Sequence, residues 1–421
     1  MRGCGVAAGF VVTYLIGRTY GPAANGQYAI VTQTAMFLSI IAVGGLDVAV
    51  AREFSRTAAV GRPLSLSTFM RSLVQAISAA ALLAALLLLG GGRLLALMGR
   101  DAVPVGAVGA LCVILLCRTA TRFLAAVLRS QSAFVLAQAV EVLFIPLGTI
   151  LLLKLGVSKS TGQILWATAA AGIVSAAIGF ASSLRHTSRG PKALTVTTSA
   201  LFAVALPLWG AAITQNLSDW YVLATISRLD GVYQVGLFRV TAQFASVFAL
   251  VSTGLYGSFG TQISAAYHRR DRAEIAALAG SATRLSAALI LPVAALFLIF
   301  APQLLGIIGP EFREGTTMLR VLVLGQVGVA LASPAALVLA LTGHPKINFL
   351  VTAVSAVVML GAAPLAVSTF GALGAASFMA MVLVAQNLCA HVVVRRLEGI
   401  DALRGFVLDS WTSRPAVGSG A

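Results

Sequence analysis

Charge is what this chain of 421 residues has least of: 29 basic and 13 acidic side chains make up 10% of it. Soluble domains carry about 25%, so a soluble enzyme or soluble binding module is excluded. Cysteine and histidine are nearly as scarce. Cys4, Cys112, Cys117 and Cys389 each fall inside an apolar run, which leaves no secreted disulfide framework and no metal-ligand spacing. His186, His268, His344 and His391 are scattered, so no histidine metal site and no cofactor is expected. Long polar stretches are missing too. With them goes any sizeable outer loop on which a membrane enzyme, such as a glycan polymerase or ligase, would mount catalytic residues. An enzyme is not expected.

What is present is apolar: 59% of residues, with a mean hydropathy of +0.95. A bilayer span needs about 20 apolar residues, and twelve runs qualify: 3–20, 27–50, 69–91, 103–126, 133–153, 163–183, 200–226, 234–257, 280–301, 316–342, 347–369 and 374–394. The fold class is therefore an all-α polytopic membrane protein of about twelve transmembrane helices.

A repeat divides those helices in two. Arg18-x-x-Gly21-x4-Gly26-x-Tyr28-x4-Gln33-x-Ala35, with Gly44 further on, returns 210 residues later as Arg228-x-x-Gly231-x4-Gly236-x-Phe238-x4-Gln243-x-Ala245, with Gly254. Seven of the 29 aligned positions from Ile16 to Gly44 are identical, where composition alone gives about two or three. Each copy ends one apolar run and begins the next, so each marks the same helical hairpin. Internal repeats of this kind are how transporters are built. The expected organisation is an N-terminal six-helix bundle (1–183), a cytoplasmic linker (184–199), a C-terminal six-helix bundle (200–396) and a disordered tail (397–421).

The net charge of +16 follows mainly from the enrichment of cytoplasmic loops in Lys and Arg. Segments 51–68, 118–132, 184–199, 258–279 and 395–421 hold sixteen basic residues, Arg52 and Arg395 among them. The alternate connections hold only a few. Both termini are therefore expected in the cytoplasm, where residual positive charge also attracts anionic headgroups.

Ionisable residues inside spans cost roughly 2.5–3.5 kcal/mol on insertion scales, and each needs a reason. Counted from a hairpin turn near Arg129 and Ser130, Arg118 and Glu141 fall at one depth, with Arg122 a helical turn below Arg118. Counted from a turn near Leu229, Asp219 and Arg239 also match. One reading is a pair of structural ion pairs. The other is a water-filled cavity in which Arg118, Arg122 and Arg239, with Gln33 and Gln243, grip a pyrophosphate. Glu141 and Asp219 would then couple transport to a proton or sodium gradient. Arg18 and Arg228 sit at helix C-termini on the outer face, where a cation meets free carbonyls; with Asp47 and Arg52 they are read as structural or gating residues. Gly21, Gly26, Gly231 and Gly236 are expected to form tight reversals.

These motifs resemble those of the polysaccharide and oligosaccharide flippases, members of the superfamily that also holds the multidrug and toxin extrusion antiporters and the lipid II flippase. The resemblance is carried by Ile16-Gly-Arg-Thr-Tyr-Gly-Pro-Ala-Ala-Asn-Gly-Gln-Tyr28, by Gly45-Leu46-Asp47 with Arg52, and by Asp219 before Gly231-Val-Tyr-Gln-Val-Gly-Leu-Phe238. Phe370-Gly-Ala-Leu-Gly-Ala-Ala376 completes it. Phe238 stands where Tyr is usual. The resemblance implies V-shaped halves around a central cavity and alternating access in a bacterial cytoplasmic membrane. Its implied cargo is a polyprenyl-pyrophosphate-linked oligosaccharide, moved among membrane lipids and other polysaccharide-assembly proteins. A cation-coupled multidrug antiporter is the alternative on the same scaffold; it calls for acidic and aromatic groups in the cavity, whereas the deep charges here lean basic.

Overall fold

The computed structural model describes residues 2–59, 64–96, 98–99, 102–104, 106–156, 160–185, 187–188, 198–342 and 345–399. Among the described residues there are twelve α-helices: α1 (Arg2–Val43), α2 (Leu46–Ala59), α3 (Leu66–Ala96), α4 (Val108–Ser130), α5 (Phe134–Gln138), α6 (Phe144–Lys154), α7 (Thr161–Leu184), α8 (Thr198–Leu229), α9 (Val232–His268), α10 (Arg272–Ile308), α11 (Thr316–Leu341) and α12 (Pro345–Glu398). A π-helical turn (Ala139–Leu143) joins α5 to α6, and a 3-10 turn (Pro310–Gly315) precedes α11. Two-residue strands β1 (Leu64–Ser65) and β2 (Thr187–Ser188) pair in parallel, Leu64 opposite Thr187.

Among the described residues nine helices are long and apolar enough to cross a membrane. Two of them double back. In α1 the break is Gly21, at φ +78°, followed by Pro22; beyond it Asn25 Nδ2 donates to the Thr13 carbonyl at 3.3 Å. Twelve residues of straight helix would hold those groups about 18 Å apart. In α12 the break is Phe370–Gly371, with Gly371 at φ +59°, and Gln386 Nε2 then reaches Thr352 Oγ1 at 3.4 Å. Splitting both and adding α8 gives twelve membrane-length segments, the number the apolar runs predict. The exterior matches a bilayer: Leu82, Leu86, Leu88 and Leu89 of α3 are all exposed, a surface that lipid satisfies and water does not.

The chain forms two compact units, Met1–Arg239 and Val240–Ala421. The first includes α8 and the opening turns of α9, because α8 packs on α1 and α2. Most of the expected linker at 184–199, and the tail from residue 400, lie outside the described residues. At the centre of the first unit α4 packs against α1, α2, α3 and α7, burying Leu111, Leu115, Phe123 and Leu124. Within the second unit α11 packs on α10 and α12. There small residues bring α11 and α12 close: a Cβ at Gly325 would lie 2.6 Å from the Ala380 Cβ. Close approach through small residues is the usual means of helix association where no hydrophobic effect drives it.

Candidate functional site

The site begins with the repeat. Gly21 and Gly231 are equivalent under the 210-residue offset, and both hold left-handed backbone, φ +78° and +93°. Each is the reversal expected of it. Gly26 and Gly236 do something else: they are helical and lie against one another's helix. A Cβ at Gly26 would sit 1.9 Å from the Val232 carbonyl oxygen, and one at Gly236 would sit 2.0 Å from that of Pro22. Pro22 and Val232 are themselves equivalent positions, so the contact is reciprocal. The backbones of α1 and α9 cross here with no side chain between them.

That crossing sets Tyr28, two residues past Gly26, near Arg239, three residues past Gly236. The Tyr28 phenol hydrogen-bonds with Thr168 of α7 and lies within electrostatic reach of both Arg118 and Arg239. Thr168 is buried, its Oγ1 donating to the Ile164 carbonyl at 3.0 Å and accepting from Thr149 at 3.3 Å. Arg239 is coupled electrostatically to Asp219 of α8. Asp219 itself is exposed, as is Gln215 one turn before it. Its neighbour Trp220 faces the opposite way, stacking on Phe37 at 5.2 Å and donating Nε1–H to Thr34 Oγ1 at 3.0 Å. Trp209 Nε1 donates to the Ile40 carbonyl at 2.8 Å. Two tryptophans thus hold α8 to α1 and turn its acidic face away from that packing.

Arg118 arrives from α4. Its Nη1 reaches the Glu141 carbonyl at 3.4 Å, while its buried Nε has no hydrogen-bond partner. The Glu141 carboxylate is taken by Arg129. Arg118 and Glu141 thus meet through the Glu141 backbone rather than its carboxylate. The turn between α4 and α5 passes through Ser132, at φ +62°. The π-helical turn containing Glu141 also diverts local carbonyls: that of Val140 accepts from Ser175 Oγ at 2.7 Å. Such turns recur at functional positions.

Arg122 is committed elsewhere. Its Nε donates to Asp47 Oδ2 at 2.7 Å, with the carboxylate nearly buried. Asp47 begins α2, just past the break at Gly44 and Gly45, whose φ values are +59° and +74°. Arg52 is exposed further along α2, and Gln33 is half-buried on α1. Gln243 is half-buried on α9, in the second unit. Arg18 is exposed and donates to the Tyr14 hydroxyl at 2.9 Å, its guanidinium 5.8 Å from that ring's centre. Arg228 is exposed in the last turn of α8. Among the described residues no three His, Cys, Asp or Glu side chains are grouped to hold a metal ion.

The first unit therefore gathers Arg118, Tyr28, Thr168, Arg239 and Asp219 from five helices. Sequence reasoning passed over Tyr28 and Thr168. The signal for Tyr28 was its equivalence to Phe238, the residue next to Arg239; for Thr168 there was none.

The MatE family model matches residues 207–365. No curated protein sequence matches the chain. Among solved structures the chain resembles an inward-facing multidrug-resistance MATE-family transporter of the MOP superfamily, with TM-score 0.77, 14% identity and 95% of each chain covered. It also resembles the lipid II flippase MurJ in an inward closed conformation, with TM-score 0.76 and 11% identity over 97% of this chain and 92% of that one. A third is a MOP-superfamily transporter from Pyrococcus furiosus Vc1 described as having a binding pocket of reverse polarity, with TM-score 0.61 and 14% identity over 96% and 94%. These likenesses establish the fold, the one that these solved structures share.

Proposed function

We propose that this protein is a multi-pass transporter that flips a polyprenyl-pyrophosphate-linked oligosaccharide across the bacterial cytoplasmic membrane by alternating access, with both termini cytoplasmic. One observation carries the reading: Arg118 holds a buried guanidinium nitrogen without a partner deep in a span, and Tyr28 lies within reach of it and of a second guanidinium, Arg239. Membrane interiors tolerate such charge where it faces a substrate path, and arginine matches phosphate oxygens in pairs. Asp219 balances Arg239 before cargo arrives and is the candidate for ion coupling with protons or sodium; Glu141, tied to Arg129, is a second. In this reading Arg122 holds α4 to α2 through Asp47, and Gln33 offers a hydroxyl-binding amide along the path.

Exposed Asp219, a residue within the stretch matched by the MatE model, favours a second reading: a cation-coupled multidrug antiporter. The deciding experiment is leaflet-resolved detection of lipid-linked glycan in cells lacking the protein. Accumulation on the cytoplasmic leaflet is expected. A normal leaflet distribution together with new drug sensitivity would replace the first reading by the second.

A further inference from the structure

The same site holds a side chain whose role charge alone would not reveal. Two guanidiniums accept any anion, a carboxylate as readily as a phosphate. A planar carboxylate is satisfied by one bidentate arginine, whereas a pyrophosphate linked at both ends presents four non-bridging oxygens, two on each tetrahedral phosphorus. Distinguishing the two takes a donor outside the guanidinium planes, and neutral so that it does not tighten the grip on every anion.

Tyr28 fits that description. Its phenol is anchored by Thr168 and lies within electrostatic reach of both Arg118 and Arg239. Thr168 carries a single hydroxyl proton, now directed to the Ile164 carbonyl. Rotating that proton onto the phenol oxygen frees the phenol's own proton for an incoming oxygen. The position is not adjustable, because the Gly26–Gly236 crossing fixes α1 against α9 by backbone contact. The repeat supplies its own comparison: the equivalent residue in the second half is Phe238, the same ring without a hydroxyl.

We propose that Tyr28 is a specificity-determining residue whose phenol hydrogen-bonds a phosphoryl oxygen of a lipid-linked anion held between Arg118 and Arg239, so that the site selects phosphoryl over carboxylate headgroups. This rests on the anionic-cargo reading above. The chemical class recognised is a long-chain lipid carrying a phosphate or pyrophosphate.

The test uses the full chain in lipid nanodiscs and measures binding of geranylgeranyl pyrophosphate and of arachidate, a carboxylate of similar length. Wild type is expected to prefer the pyrophosphate. Tyr28→Phe should weaken pyrophosphate binding at least about tenfold, the worth of a hydrogen bond to a charged acceptor, and leave arachidate unchanged, so the preference collapses. Thr168→Val should produce a smaller loss in the same direction, and it carries the test if Tyr28→Phe does not fold. A Tyr28→Phe protein of normal melting temperature that keeps the wild-type preference would overturn the role of Tyr28 and leave the anionic-cargo reading standing. Wild type that binds neither lipid would overturn both. Inorganic pyrophosphate bound as tightly as its geranylgeranyl ester would overturn the lipid-linked source.

Discussion

At the scale of single residues, the charges in this membrane protein are best understood by what each already has. Arg122 has Asp47, Arg129 has Glu141, and Arg118 has one weak carbonyl contact and an unmet Nε. The Arg122–Asp47 pair joins α4 to the first turn of α2, and its carboxylate is nearly buried. Removing either partner strands the other, at a cost of about 1.5–3 kcal/mol for a charge-assisted hydrogen bond. Asp47→Ala and Arg122→Ala should therefore each lower the melting temperature in nanodiscs, while the double variant loses much less than the sum. Additive losses would mean the two side chains do not act as a pair. This pairing was not legible beforehand. Apolar runs show which charges lie in spans, but Asp47 lies on α2, 75 residues from Arg122 in the chain, and a count of spans does not say which helices pack together.

At the scale of elements, glycine carries the argument, and the repeat shows that identical residues at equivalent positions need not do one job. Gly21 and Gly231 both turn the chain on positive φ, and that role was legible. Gly26 and Gly236 were expected to be reversals and are instead a helix crossing with 1.9 and 2.0 Å approaches to a prospective Cβ; a gapless spacing cannot tell a turn from a contact between distant helices. Carbonyl oxygens in helices cannot yield as side-chain ends do, so Gly26→Ala or Gly236→Ala should cost at least the roughly 1–3 kcal/mol of overpacking. The loss should appear as less folded protein on size-exclusion chromatography. Gly44 and Gly254 make the complementary case. Gly44 breaks the chain between α1 and α2 at φ +59°, whereas Gly254 is inside unbroken α9 with open space where a Cβ would go. Gly44→Ala should destabilise by about 1–2 kcal/mol through left-handed strain, and Gly254→Ala should be neutral or stabilising by up to about 1 kcal/mol. Equal effects from the two in thermal unfolding would refute the assignment of a chain break to the first half alone.

At the scale of the whole molecule, the number of spans and the all-helical class were legible because hydrocarbon leaves a chain few options: about 20 apolar residues per crossing, with backbone groups satisfied internally. Cargo was less legible, since one solved structure of the same fold is described as having a binding pocket of reverse polarity, and such a distinction rests on a handful of side chains. Those side chains make the two readings predict opposite results. For an anionic lipid, Arg118 supplies attraction and Asp219 supplies repulsion that Arg239 offsets. Arg118→Gln should then weaken geranylgeranyl pyrophosphate binding by tenfold or more, and Asp219→Asn should leave it equal or tighter while impairing transport that depends on an ion gradient. For a cationic drug, Asp219 is the attractive group, so Asp219→Asn should abolish export of an ethidium-like cation and Arg118→Gln should spare it. Both variants change one charge without changing side-chain size much, and melting temperatures in nanodiscs separate misfolding from lost function. A folded Asp219→Asn protein that loses anionic-lipid binding while Arg118→Gln keeps it would reverse the polarity assigned to the site, and with it the choice of cargo.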